Sequence, residues 1–580
     1  MRRVVSLLLI IALSSVMFVG CSGKKQENNG EVSADGGVVI SKVDINFLDA
    51  DGAAIYNVVR PEANEFDEIK LASLVFKQAK SKIGVAGKTV IDSADGTGAY
   101  EILIGATNRP ESQQAMDYLK SKSGGRYDDF IICTIGKKIV INANNAKTLE
   151  IACNYFIENF LKPEGVKGGI EYVCAAQGNF VDITINGKNI SEFCFVRPHF
   201  NYSYLAQVEV TKLVQTVYEK TGYMLKVVHD EYVAEGENEI VVGNTNRKGV
   251  KSLTDYDQYD ISVSGSKVYL NGGSAHATAM AVYEFAKVIT AGSITDSTSI
   301  TGSYETAFKN YDAATTYYPV YYDNFDGDTI DTTKWRLMSG TEFGRDGQNG
   351  KYSGMTDDPN YVFQSDGKFY IYGHENDKGY WGGTLTNSTT MAFQYGFVEH
   401  SVICPDGDGF WSLLWFSSTG DGTNQYYSAE IDLNECFGNG RATQANCHKW
   451  PTSLGKSLGL EHESLDGKQY GAAKKYYCPD EKTWADDYHT FGFLWDETQM
   501  TFTADGDIWF AYDITTKEYD IDAFVNTYLY MKLSFSVGRL NNSLLVENLT
   551  DEEWQNSSVL ICDWLYLYQL DNGKQTLKLK

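Results

Sequence analysis

Three acidic residues in the segment Glu430-Ile-Asp-Leu-Asn-Glu435 are the groups of this chain whose spacing reads most directly as chemistry. Side chains alternate between the two faces of a strand, so Glu430 and Asp432 share one face while Ile431 and Leu433 turn to the other. Glu435 breaks the alternation. Its odd offset returns it to the acidic face only if one extra residue is inserted as a β-bulge, a device common beside active sites. Three carboxylates would then line one floor. Crowded together they cannot all ionise freely, so their pKa values separate and one can stay protonated as an acid. Two carboxyl groups about 5 to 5.5 Å apart, one nucleophile and one acid/base, are what a double displacement at a glycosidic bond requires.

The spacing alone is weak evidence. With 76 Asp and Glu among 580 residues, acid-x-acid-x-x-acid is expected roughly once by chance, and Asp326, Asp328 and Asp331 match it in a Gly-containing turn. Only the Glu430 set lies in an apolar-alternating strand beside an aromatic-rich neighbour. That neighbour, GFWSLLWF, places Trp411 and Trp415 on one strand face, where flat rings can stack on the C–H faces of a sugar. Trp450 and Asn349 are further candidates for outer subsites.

The elements that must position these residues change character along the chain. All 10 Trp fall between Trp335 and Trp564, in a stretch of short alternating segments broken by Gly, Asn and Asp, which reads as an antiparallel β-sandwich or jelly roll over residues 316–580. Upstream lies an internal duplication. EILIGATNR at 101–109 recurs as EIVVGNTNR at 239–247, and Arg60-Pro61 recurs as Arg197-Pro198. Each copy reads as an amphipathic helix, a short β-rich run with a Gly-x-Thr-Asn-Arg turn, an alternating hairpin and a second helix. The two are small α/β sandwich domains at 44–176 and 177–310. The turn arginines, Arg109 and Arg247, are expected to serve the turn itself.

The start of the chain, Arg2-Arg3, a short apolar run and Gly20-Cys21, has the pattern of an export signal over residues 1–20, with a polar tether at 21–43. Phe18-Val19-Gly20-Cys21 resembles a bacterial lipoprotein cleavage box, which implies a lipid on Cys21, a membrane partner through that anchor, and an extracytoplasmic, cell-surface location. The formal charge of −26 and the lack of a long basic run exclude nucleic acid as a partner and disfavour strongly anionic sulfated polysaccharides. Nine cysteines beyond Cys21 at irregular spacing give no disulfide framework; Cys436 and Cys447 could bridge within the last domain, and buried free thiols are expected for most.

From about 316 to 575 the chain resembles glycoside hydrolase family 16, a jelly-roll family, in the order of its motifs: YDNFDGDTIDTTKW, YGFVEHSVICPDGDGFWSLLWF, EIDLNE, YHTFGFLWD, YMKLSFSVG and CDWLYLYQ. EIDLNE matches the family's ExDxxE signature in its laminarinase-like form. The resemblance implies a retaining endo-hydrolase with Glu430 as nucleophile, Glu435 as general acid/base and Asp432 hydrogen-bonded to Glu430. It implies a polysaccharide substrate, β-1,3-glucan of the laminarin type or mixed-linkage glucan first. A galactan, a host glycan, or a non-catalytic surface glycan-binding lipoprotein are the alternatives. His448 resembles a family histidine on a neighbouring cleft strand. Trp411 and Trp415 lie where the family supplies Trp to the cleft, with Ser412 in place of the usual Pro. No cofactor is required for the chemistry; Asp563 matches an acidic residue with which many members hold a structural calcium. The duplicated units resemble the α/β accessory domain of β-hexosaminidases and α-glucuronidases, which carries no catalytic residue, so activity is expected to survive their deletion.

Overall fold

The computed structural model describes residues 40–94, 98–419, 424–438, 440–464, 475–515, 522–525, 527–539 and 545–580; Cys21 and the expected export signal at 1–20 lie outside the described residues. In the first copy, strands β1 (Asn57–Arg60), β2 (Thr89–Ile91), β3 (Glu101–Ile104), β4 (Phe130–Ile135), β5 (Lys138–Ala143) and β6 (Glu171–Cys174) form one sheet in the order β2-β1-β3-β5-β4-β6. The second copy repeats it with β7 (Cys194–Arg197), β8 (Val227–His229), β9 (Glu239–Val242), β10 (Gln258–Ser264), β11 (Lys267–Gly272) and β12 (Ser299–Ser303), in the order β8-β7-β9-β11-β10-β12. In both sheets five strands point one way, and the first hairpin strand, β4 or β10, runs antiparallel between two of them.

Helices α1 (Glu68–Ile83) and α3 (Ala146–Asn159) bury Leu71, Val75, Leu149 and Phe156 against one face of the first sheet. A helix the periodicity did not announce, α2 (Pro110–Ser123), covers the other face through Ala115 and Leu119. Its sequence, PESQQAMDYLKSKS, is mostly polar, which hides the narrow apolar stripe; Pro110 at the first turn and Gly124 after the last are its legible boundaries. The second copy has α4 (Tyr204–Thr221) and α5 (Ala275–Thr290) but goes from β9 to β10 without a helix. Arg109 and Arg247 are buried, each giving Nη1 to a backbone carbonyl, that of Asp92 at 2.8 Å and of Asp230 at 3.0 Å, so both serve the frame of the turn.

The C-terminal part is a sandwich of two sheets. One runs through Val362–Ser365, Lys368–Tyr372, Val559–Gln569, Gly396–Ile403, His489–Trp495, Gln499–Ala504 and Asp507–Asp513. The other has at its centre Gly379–Thr386, β13 (Phe410–Ser418), β14 (Tyr427–Phe437), β15 (Ala442–Pro451) and β16 (Leu529–Val537), with β16 pairing both Gly379–Thr386 and β13. Between them lies a core of alternating inward side chains that includes Phe393, Phe416, Ile431, Leu433, Phe493, Trp495, Phe535 and Leu565. Cys436 and Cys447 are buried and do not bridge each other, and Cys436 meets a different thiol, Cys404, at 3.4 Å.

The second copy packs against this sandwich along a largely apolar seam. Its core, including Tyr204, Leu205 and Met280, continues into Phe397, Leu494, Tyr566 and Tyr568 of the outer sheet. Fully buried Glu399 accepts the N–H of Tyr204 at 2.8 Å and the hydroxyl of Ser203 at 2.6 Å, at the start of α4. Thr490 donates to the carbonyl of Tyr202 at 2.7 Å, and Arg197 to that of Asp505 at 2.8 Å. Deleting the second copy would therefore expose a packed apolar face and a buried carboxyl, which argues against treating that copy as a detachable appendage.

Burial pushes the Glu399 carboxyl from its ordinary 4.5 up to about 8. A carboxyl whose folded pKa is raised costs nothing below the unfolded value, and it penalises folding progressively as pH climbs from about 4.5 towards 8. Glu399→Gln keeps an acceptor for Tyr204 and removes the titration. We expect the variant to be more stable than the parent at pH 8.5, by on the order of 3 kcal/mol, and equal to it near pH 4.5. Thermal melts across that range check this; a parent and variant that fall in parallel would refute it.

Candidate active site

On β14 the register with both neighbours slips by one residue between Asp432 and Glu435. Asp432 faces Trp415 and Asn446, whereas Cys436 faces Ser412 and Thr443, leaving one extra residue on β14. This is the inserted residue that the odd spacing required, and it turns Glu435 to the side of Glu430 and Asp432 while Ile431, Leu433 and Cys436 stay in the core. Asn434 pins the bulge. Buried, it accepts the Leu414 N–H at 3.0 Å, a donor of β13 that the interrupted ladder would leave unpaired. Asn434→Ala should cost about 1 to 3 kcal/mol by orphaning that donor, and should lower activity by displacing Glu435. Denaturant melts and turnover of the same sample test it; unchanged values in both would remove Asn434 from this role.

The three carboxylates open into a cleft of about 370 Å³ lined by Trp411, Leu413, Trp415, Phe437, Gln444, Asn446, His448, Trp450 and His462. Cross-strand pairs set its floor: Glu430 faces His448, Asp432 faces Asn446 and Glu435 faces Gln444. Asp432 Oδ2 lies 3.1 Å from His448 Nε2, and the ligand atoms of Glu430, Asp432 and His448 lie within 4.8 Å of one another. Gln444 donates to Glu435 Oε2 at 3.1 Å. The His448 ring is fixed by His462, whose Nε2 is 2.9 Å from its Nδ1, and His462 stacks on Trp450 with centroids 3.8 Å apart.

Burial, and then the charge of Asp432, hold the Glu435 carboxyl well above the usual carboxylate range, with Gln444 and His448 opposing. Burial, and then Glu430, do the same to Asp432, with Lys532 opposing. The floor can thus carry an un-ionised carboxylic acid at neutral pH beside another carboxylate.

The sequence reading did not find Lys532, Gln444, Asn446 or His462. Lys532, on β16, lies over the Trp415 ring at 3.7 Å and donates to Ser417 at 3.0 Å. Burial lowers its pKa to about 8 against the opposing pull of Glu430 and Asp432. It shares a strand face with Ser534, which accepts the Trp415 indole N–H at 2.9 Å. A lysine in the alternating strand YMKLSFSVG was a visible signal; the target of its ammonium was not. Trp411 stacks on Phe437 with centroids 5.3 Å apart, and its buried indole N–H finds no acceptor among the described residues.

Two candidates stand apart from this cleft. Asn349 does not line it: it occupies a left-handed turn (φ 55°) with its amide on the Tyr380 hydroxyl at 3.3 Å, a role that short polar side chains fill in such turns. Asp563 lies 3.9 Å from the Lys368 ammonium, and Asn324 accepts the hydroxyl of Tyr566. Among the described residues Asp563 belongs to no cluster of three acidic, histidine or cysteine ligands.

Residues 354–556 match the family model for glycosyl hydrolases family 16. The C-terminal domain belongs to that family. A curated relative, glucan endo-1,3-beta-glucosidase A1 of Niallia circulans, is 25% identical over 253 residues, which is 39% of this chain and 35% of that protein. The chain therefore spans about a third of that relative's length. Among solved structures, one described with endo-acting O-glycanases that human gut bacteria express to initiate mucin breakdown is 20% identical, with TM-score 0.35, over 44% of this chain and 92% of its own. The catalytic domain of an endo-1,3-beta-glucanase (laminarinase) from Thermotoga petrophila is 19% identical, with TM-score 0.35, over 44% and 99%.

Proposed function

We propose that the family 16 domain is a retaining endo-hydrolase of internal β-glycosidic bonds, with β-1,3-glucan or mixed-linkage glucan as substrate. The observation that carries the reading is the one-residue bulge, which brings Glu430, Asp432 and Glu435 into one aromatic-lined cleft and leaves Glu435 buried with its proton. In the first step Glu430 attacks the anomeric carbon as the bond to the leaving oxygen breaks, and Glu435 gives that oxygen its proton. In the second, the Glu435 carboxylate takes a proton from water, which attacks the same carbon and releases Glu430. Two inversions give net retention. Asp432 ionises less readily than an ordinary carboxyl, because it is buried and the Glu430 charge lies beside it. Lys532 supports a negative charge on Glu430 and holds the Trp415 ring in place.

The test is the full chain on laminarin, lichenan, agarose and a mucin glycan, following reducing-end release and the anomer first formed by NMR. Release from the glucans of shortened chains with the β-anomer first is expected. Binding without cleavage of any of the four would overturn the enzyme reading, and the α-anomer first would overturn retention.

The charged start, apolar run and Gly20-Cys21 support export and a lipid at Cys21, which would hold the domain at the outer face of a bacterial membrane facing polymeric substrate. Labelled fatty acid should enter the parent and not Cys21→Ala; equal labelling of both would refute the anchor.

A further inference from the structure

At the seam between the second copy and the sandwich, we infer a binding site for a divalent transition metal of the zinc type, with His199, Glu231 and Asp480 as its protein ligands. One ligand atom from each of the three lies within 4.8 Å of the others. His199 Nε2 is 3.0 Å from Asp480 Oδ2, close to the separation of about 3.3 Å between neighbouring ligands around a tetrahedral ion with bonds near 2.0 Å. His199 is 95% buried, taking its exposure of 5%, while Glu231 and Asp480 are half-exposed, so the site is anchored inside and open to entry outside. The other ring nitrogen of His199 is 2.9 Å from His229 Nδ1, the supporting bond that fixes a ligating imidazole and its tautomer. The Tyr232 hydroxyl stands 3.0 Å from His199 Nε2. A cation is already drawn to one of the carboxylates: the Lys482 ammonium is 3.2 Å from Glu231, the place it would cede. One imidazole with two carboxylates suits zinc-type ions better than calcium or magnesium.

The duplication supplies an internal control. Asp230 accepts the N–H groups of His199 and Asn246 at 3.0 and 2.7 Å, and Asp92 accepts those of Glu62 and Asn108 at 3.0 and 2.7 Å. Arg197 pairs in register with His229 as Arg60 does with Ile91. The backbone frame is thus shared, while His199, His229 and Glu231 take the places of Glu62, Ile91 and Ser93. The imidazoles and the extra carboxylate occur in the copy that faces the sandwich, and the remaining ligand, Asp480, comes from the sandwich. An ion here would bind residues from both units and fasten one to the other.

The full chain, stripped with chelator and re-equilibrated with micromolar zinc chloride, should keep one zinc per chain through gel filtration, measured by mass spectrometry, and should melt higher with zinc than without. Asp480→Asn retains a hydrogen-bond acceptor for His199 but not the anionic ligand; it should melt like the parent without zinc and should lose both the retained ion and the zinc-dependent rise. Glu231→Gln, on an exposed loop, should do the same, and His229→Ala should weaken zinc roughly 10- to 100-fold. Absence of retained zinc in the parent overturns the inference. So does zinc retained equally by Asp480→Asn, which would place the ion elsewhere, as at Glu430, Asp432 and His448.

Discussion

Glu430→Gly is expected to lower polysaccharide hydrolysis by roughly 10⁴- to 10⁶-fold, the scale on which removal of a nucleophile acting within a catalytic unit is felt. Glu430 lies directly across the strand pair from His448 and Ser417, within the electrostatic reach of Lys532, so its removal leaves an anion-sized space beside a buried ammonium. Azide should occupy that space. It would attack the anomeric carbon of an activated β-glycoside once, with no second displacement to follow, so turnover should return and the product should be the α-glycosyl azide. Product configuration by NMR is the decisive readout, because rescue by a buffering effect would leave the configuration unchanged. A β-azide, or a variant retaining a tenth of parental activity without azide, would remove Glu430 from the nucleophile's role.

What could be foreseen of this site and what could not divides along physical lines. The bulge was legible because the period of a strand is two, and an acidic set that breaks that period by one residue allows few repairs. That Trp411 and Trp415 share a strand face followed from the same alternation; their assignment to the cleft came from the family resemblance. Asn434 was not legible: its partner, Leu414 N–H, is an orphan created only when β13 pairs with the bulged strand. Lys532 and His462 reach the floor from segments distant in sequence, and nothing local states where they point. Glu399 shows the opposite failure. It shares a strand face with Phe397 and Ser401, a mixed pattern that reads as a partly solvated edge, and only the docking of α4 turns it into a fully buried carboxyl. The duplicated units were legible as repeats from nine-residue matches, but α2 was lost because a helix covering one small patch needs only two or three apolar residues.

Glu435→Ala tests the other half of the double displacement, and its effect should depend on the substrate. On laminarin or lichenan the leaving group is a sugar hydroxyl that needs a proton, so the loss should be on the order of 10²- to 10⁴-fold. On an aryl β-glycoside with a good leaving group the first step no longer needs the acid. Formation of the glycosyl-enzyme should then stay near parental speed while its hydrolysis, deprived of a base, slows, giving a burst of released phenol, a low kcat and a low KM. The pH profile adds an independent check. Because burial and the Asp432 charge raise the Glu435 pKa, the parent keeps this proton to a higher pH than an ordinary carboxyl would, and loses polysaccharide activity as pH rises through the raised value. Release of the activated phenol by the variant should lack that alkaline fall, since the group that titrates is gone. An unchanged alkaline limb in Glu435→Ala would assign the titration to another group, with Lys532 the first to examine, its pKa lying near 8 against the same floor.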